Sequence, residues 1–217
     1  FISGSGYNPF ASTHATVAPS GALIGGPNTV AYTSPSFSGI SVGIATTFDQ
    51  TDGQGKPGTG IRVNYSNGPL SIQYGSSTAE SAVAATAGAK LTSMMAKYDT
   101  GMGTVYVSSY DLKAGADASV TAAGIAAGSP NNTAGTADAV KGVGIGASIP
   151  VGALTFKIGN MNRSSSDAAS KYKDRTSYGV DYALSKRTTA SLMIANDKAL
   201  NGGAKTNTSW IGVNHSF

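Results

Sequence analysis

The chain of 217 residues contains no cysteine, which excludes a disulfide framework and any thiolate metal site. Charge is scarce. Asp, Glu, Lys and Arg together make up 12%, where an ordinary soluble domain carries roughly 25%. Long hydrophobic runs are missing too, and nothing approaches the ~18 apolar residues of a membrane-spanning helix. Lys and Arg are scattered, and the net charge of +4 is mild, so a nucleic-acid surface has no footprint here. Only His14 and His215 represent histidine. No HxxEH-like, Walker or GxSxG pattern stands in its required context, so neither an enzyme nor a cofactor or metal is expected. The stretch "GVGIGAS" has the wrong spacing for a dinucleotide loop and lies inside an alternating segment. The opening Phe1–Gly6 shows neither the basic nor the apolar part of a secretory leader.

What the chain does have is 29 glycines and a hydrophobic content of 40%. That content argues against disorder. Its apolar residues are dispersed by two-residue alternation, the signature of strands with one apolar face. Val30 and Tyr32 share a face, as do Ile40, Val42 and Ile44; Ile61, Val63 and Tyr65; and Leu70, Ile72 and Tyr74. The pattern continues with Met94, Ala96 and Tyr98; Val105 and Val107; Val143, Ile145, Ala147 and Ile149; and Leu154, Phe156 and Ile158. It closes with Tyr178, Val180, Tyr182 and Leu184, then Ala190, Leu192 and Ile194, and finally Ile211, Val213 and Phe217. Helical periodicity is absent. The alternation predicts about eleven strands of roughly 7–10 residues.

The connections alternate short and long. Short ones fall at 34–39, 67–69, 99–103, 150–153 and 185–187, with Gly, Pro, Asn or Ser where a reversal needs them. Ser185-Lys186-Arg187 is the weakest of these. Long loops are expected at about 48–59, 77–88, 112–139, 162–174 and 197–207. One trimmed rim and one looped rim describe an antiparallel up-and-down sheet, and outer-membrane barrels show that asymmetry as a rule. Alternation alone does not say whether the aliphatic face meets a packed core or lipid. The rim asymmetry, the terminal Phe217, and Tyr32, Tyr65, Tyr74, Tyr98 and Tyr182 placed at strand ends like interfacial girdles favour lipid.

Four segments carry a resemblance. "NTVAYTSPSFSGISVGIATTF", "YSNGPLSIQYG", "YALSKRTTASLMIAND" and "IGVNHSF" resemble, in the same order, parts of the trimeric general porins of Gram-negative bacteria, in particular those of Betaproteobacteria. The likeness spans about residues 28–217. It implies an all-β transmembrane barrel of about 16 strands when complete, about 11 of them in this chain. Residues 1–27 are then the remainder of the loop that folds into the pore, and 28–217 are the C-terminal strands. On this basis about five N-terminal strands are expected from a separate fragment or from upstream sequence. The implied protein is a homotrimer in the bacterial outer membrane, in contact with its lipid and lipopolysaccharide and with the outer-membrane assembly machinery. The competing expectation is a secreted or surface-attached all-β adhesin or fibre domain, which would show a fixed internal repeat; none is evident.

Strand parity places Arg62, Lys97 and Lys157 opposite the aliphatic face, with Arg187 on the same parity at the trimmed rim and Asp181 as the one strand carboxylate there. Cations cost about 2–4 kcal/mol on a lipid face at midplane, so the inward side is the consistent one. The segment 1–27, with Tyr7, Phe10 and His14, brings no carboxylate, and the first acidic residue is Asp49. The resemblance implies a diffusion channel for small hydrophilic solutes and ions, and a net positive wall predicts that it prefers anions. The resemblance implies that Ile211, Val213, His215 and Phe217 form the assembly signal. Arg163, Lys171, Lys173, Lys198 and Lys205 are expected on loops, with a sign that suits lipopolysaccharide.

Overall fold

The computed structural model describes residues 5–10, 28–48, 57–79, 88–113, 139–165, 173–199 and 205–217. It contains one short 3-10 turn, Ser5–Tyr7, and eleven strands: β1 Thr29–Thr33, β2 Ile40–Thr47, β3 Gly58–Asn67, β4 Leu70–Thr78, β5 Lys90–Asp99, β6 Thr104–Lys113, β7 Ala139–Val151, β8 Leu154–Ser165, β9 Lys173–Ser185, β10 Thr188–Ala199 and β11 Thr206–His215. Each strand pairs antiparallel with its sequence neighbours, in the order β1 to β11. No helix among the described residues is long and apolar enough to cross a membrane.

The short connections close at one rim, and local chemistry explains three of the reversals. Gly39 has φ +84°, and a Cβ there would stand 2.4 Å from the Ser66 carbonyl oxygen, so only glycine fits. Gly68, at φ +54° after Asn67, makes the two-residue hairpin between β3 and β4. The glycine-free turn at Lys186-Arg187 is held by Ser185 instead. Its Oγ accepts from the Arg187 amide at 3.2 Å and donates to Thr188 Oγ1 at 3.0 Å.

Several strands outrun the alternation. β7, β8, β9 and β10 have 12 or 13 residues. β8 runs to Ser165, β9 starts at Lys173 and β10 runs to Ala199, all inside the loops expected at 162–174 and 197–207, so Arg163, Lys173 and Lys198 lie in strands. The ladder continues there through Asn160, Asn162 and Ser164, which carry no apolar signal. Tyr74 is central in β4, so it is not a strand-end residue as expected, whereas Tyr65, Tyr98 and Tyr182 lie near the short-turn rim.

The burial of the two faces is inverted relative to a soluble sheet. Ile44 is 54% exposed, Ile145 57% and Ile211 80%, while Ser77 and Ser177 on the opposite parity are 2% and 0% exposed. The aliphatic face has no protein against it among the described residues. At about 25 cal/mol per Å² of apolar area, leaving it in water would be costly, and an apolar solvent removes that cost.

Candidate functional site

The opposite face is covered, and residues 5–10 are what covers its middle. Asn8 folds this segment by donating from Nδ2 to the Phe10 carbonyl at 2.9 Å and accepting from the Phe10 amide at 3.3 Å. Pro9 and Phe10 then press onto strand glycines. A Cβ on Gly146 would come within 2.9 Å of the Pro9 ring, and one on Gly179 within 3.2 Å of the Phe10 ring. Phe10 is buried with Met161 and Met193, and Tyr110 and Trp210 pack against that cluster. Met161 on β8 and Met193 on β10 flank β9, the strand that carries Gly179.

Charged groups ring this contact. Lys97 Nζ stands 5.7 Å from the centroid of the Tyr7 ring, a cation–π approach. Burial raises the Tyr7 phenol above its usual range, and the Arg62 charge opposes that rise in part. Arg62 is opposite Gly43 and Gly75 on the covered face and reaches Thr33 Oγ1 at 3.5 Å. Lys157 is paired with Asp181 at 2.5 Å. Arg187 occupies the exposed two-residue turn and not the wall, because β9 ends at Ser185 and β10 begins at Thr188. His14 lies outside the described residues.

A second ion pair went unseen in the sequence. Arg175 on β9 donates from Nε and Nη2 to the two carboxylate oxygens of Asp197 on β10, at 2.7 and 2.9 Å. Both side chains are almost fully buried. Asp181 is therefore not the one strand carboxylate facing in. Arg163 shares the covered parity, opposite Gly142, and its amide donates to Asp174 Oδ1 at 3.0 Å. It is not a loop cation as expected. Among the described side chains, the covered parity holds Arg62, Lys97, Lys157, Arg163 and Arg175 against Asp99, Asp181 and Asp197.

The covered apolar residues also escaped the alternation reading. They had a signal: Met94-Met95, Met193-Ile194 and Trp210-Ile211 put apolar groups on both parities at once. Such a pair marks a strand with something apolar on each side. At the C-terminal end, Ile211 and Val213 are exposed on the bare face. His215 Nδ1 is 2.9 Å from Thr188 Oγ1, and its ring meets Phe217 edge-on at 4.8 Å. Phe217 itself is fully exposed.

Residues 2–202 match the family model for the Gram-negative porin. The chain belongs to the Gram-negative porin family. Solved structures share its fold. A triple mutant of Rhodopseudomonas blastica porin matches with a TM-score of 0.58 at 18% identity, over 88% of this chain and 56% of that one. A porin refined at 1.8 Å resolution gives 0.60 at 21%, over 86% and 60%. OmpT of Vibrio cholerae, an outer-membrane protein with its loop L8 deleted, gives 0.60 at 11%, over 97% and 71%. The likeness at these identities is one of fold, and the chain spans 56% of the first matched structures. No curated protein matches the chain. Family and fold together place this porin sheet in the bacterial outer membrane, its bare face toward lipid.

Proposed function

We propose that this porin chain forms the wall of a passive diffusion channel for small hydrophilic solutes and ions, that residues 5–10 narrow the channel, and that it prefers anions. The observation that carries this is the polarity inversion combined with charge. The lipid side is aliphatic, while the covered side holds five cations against three carboxylates among its described side chains. Two of those cations are matched by Asp181 and Asp197. Fixed positive charge around a narrow aqueous path raises the local anion concentration. No cofactor or catalytic step is part of this function.

The rest of the proposal concerns assembly. β1 and β11 are the edges of the sheet, and unpaired backbone in lipid costs several kcal/mol per group. Further strands, supplied upstream or by a separate fragment, pair with these edges to close the barrel, which assembles as a homotrimer. The strand with Ile211, Val213, His215 and Phe217 is read by the assembly machinery. The test is reconstitution into a planar bilayer under a potassium chloride gradient. A reversal potential on the chloride side is expected. A potential indicating cation preference overturns the charge argument, and an absence of channels overturns the transport reading.

A further inference from the structure

On the short-connection side of Phe10 the covered face opens. Around the ring the wall is closed, and Met193, Ala195 and Ser177 are buried. One row nearer the short connections, Asp181 of β9, Ser191 of β10 and Gly212 of β11 stand side by side, each opposite the next in the ladder. All three are half-buried, and in the following row Ala183 and Asn214 are exposed. Two strand spacings separate Asp181 from Gly212, about 10 Å. The row is a shelf with a floor of short side chains, reachable from the short-connection rim.

The two ends of the shelf differ in chemistry. At the β11 end the Trp210 indole folds back over Gly212, and its six-membered edge occupies the space that a Cβ on Gly212 would need. The same indole packs against the cluster of Phe10, Met161 and Met193, so that side of the shelf is apolar. At the β9 end stands Asp181. Lys157 holds its Oδ2, while Oδ1 is shielded and has no hydrogen-bond partner among the described residues. A buried carboxylate oxygen without a donor is uncommon in a folded protein. The terminal torsion of an aspartate is broad, so this oxygen can turn toward the shelf while Lys157 keeps the other. Between the two ends, the Ser191 hydroxyl can both donate and accept. The Lys157 ammonium offsets the Asp181 charge, so the shelf gives an ion no net attraction of its own. What it offers is hydrogen bonding at one end and an aromatic surface at the other.

We propose that this shelf binds one ring of a neutral sugar. The C–H face of the sugar lies on the Trp210 indole, one hydroxyl donates to Asp181 Oδ1, and another exchanges a hydrogen bond with Ser191. Sugar C–H groups carry partial positive charge from their oxygens, which suits the negative face of an aromatic ring. An apolar surface with a few converging polar groups is the usual composition of a small-molecule site. The subsite rests on the diffusion-channel reading of this face and adds a solute class to it. Its hold is weak, because a solute in a channel must also leave.

Trp210 is the one tryptophan of the chain, so its emission reports the shelf without a label. Titrating the purified protein in detergent with glucose is expected to change that emission saturably. Sorbitol, a hydroxylated open chain with no ring face, is expected not to. Ser191→Ala is expected to raise the half-saturating glucose concentration about fivefold, as for one hydrogen bond lost. Ser41→Ala, on β2 at the far end of the wall, is expected to leave it unchanged. An equal change with sorbitol is a bulk solvent effect and overturns the site, as does no change with glucose. An unaltered half-saturation in Ser191→Ala also overturns it. A planar bilayer separates the site from the channel reading: glucose is expected to lower the single-channel current over the range that saturates the emission. Channels that open but ignore glucose overturn the subsite alone. Saturable emission without channels overturns the transport reading, and the sugar contact stands.

Discussion

Replacing Arg175 with methionine is expected to destabilise the barrel by about 3–5 kcal/mol, because it leaves the Asp197 carboxylate buried without its partner. The structure supplies the reasons for expecting the upper part of the mutational scale. Both oxygens of Asp197 are engaged by one guanidinium at 2.7 and 2.9 Å, and both side chains are nearly inaccessible. Arg175 is also flanked by Met161 in the ladder, so little water could replace it. The double variant Arg175→Met/Asp197→Leu removes both charges and fills similar volume. Such replacements are often neutral or even stabilising, so the double variant is expected to lie within about 1 kcal/mol of wild type or above it. Urea unfolding in detergent, followed by loss of strand circular dichroism, gives the comparison. A single variant as stable as wild type would refute the reasoning, since the carboxylate would then be solvated by some other route. A double variant as unstable as the single one would show that geometry, rather than uncompensated charge, sets the cost.

Three further outcomes concern the segment at the wall. Phe10→Ala removes a ring buried between Met161 and Met193, at about 3–5 kcal/mol for a buried aromatic; the loss falls on the seating of residues 5–10, so single-channel conductance is expected to rise while urea unfolding of the strands is unchanged. Arg62→Gln with Lys97→Gln withdraws two covered-face cations, and the reversal potential is expected to move toward the cation side; an unmoved potential removes these two from the selectivity argument. Tyr7 gives a pH signature. Its phenol is raised above the usual value of 10.0 by burial, so the neutral form is the one the folded segment prefers. Its stabilising contact is complete below pH 10 and is lost as pH rises through the raised value. Conductance should hold steady to about pH 10 and change only above it, and Tyr7→Phe should remove that change.

The strand pattern was legible because lipid leaves one face with a uniform requirement. Ile40, Val42 and Ile44 on β2 and Val143, Ile145 and Ile149 on β7 stand exposed as their alternation implied, and the five short reversals fall where Gly, Pro, Asn and Ser predicted them. Legibility stopped where that requirement stopped. Above Ile158 the outward residues of β8 become Asn160, Asn162 and Ser164, which stand opposite Ile145, Val143 and Lys141 and carry no apolar signal of their own. A polar residue on a wetted strand looks like a polar residue in a loop, so four strands were read too short. The alternation therefore stops short of Arg163, Lys173 and Lys198, which lie in strands.

The same boundary hid the buried ion pair, and for a different reason than strand length alone. Arg175 and Asp197 are 22 residues apart and meet only because β9 and β10 run in the register set by Ile194 opposite Tyr178. Parity tells which side of a sheet a charge takes, but it does not tell which charge stands across from it. Parity puts Lys157 and Asp181 on one side of the sheet without saying that they meet, and the structure joins them. Register therefore changes the functional arithmetic. Lys157 and Arg175 count toward the wall only together with the carboxylates they meet. Lys97 has Tyr7 against it, and Arg62 lies close enough to act on the Tyr7 phenol. Selectivity and the seating of residues 5–10 then share side chains. A substitution at Arg62 or Lys97 should alter both the reversal potential and the alkaline response of Tyr7, whereas a substitution at Lys157, which leaves the Asp181 charge uncompensated, should move the reversal potential toward the cation side and leave the Tyr7 response unchanged.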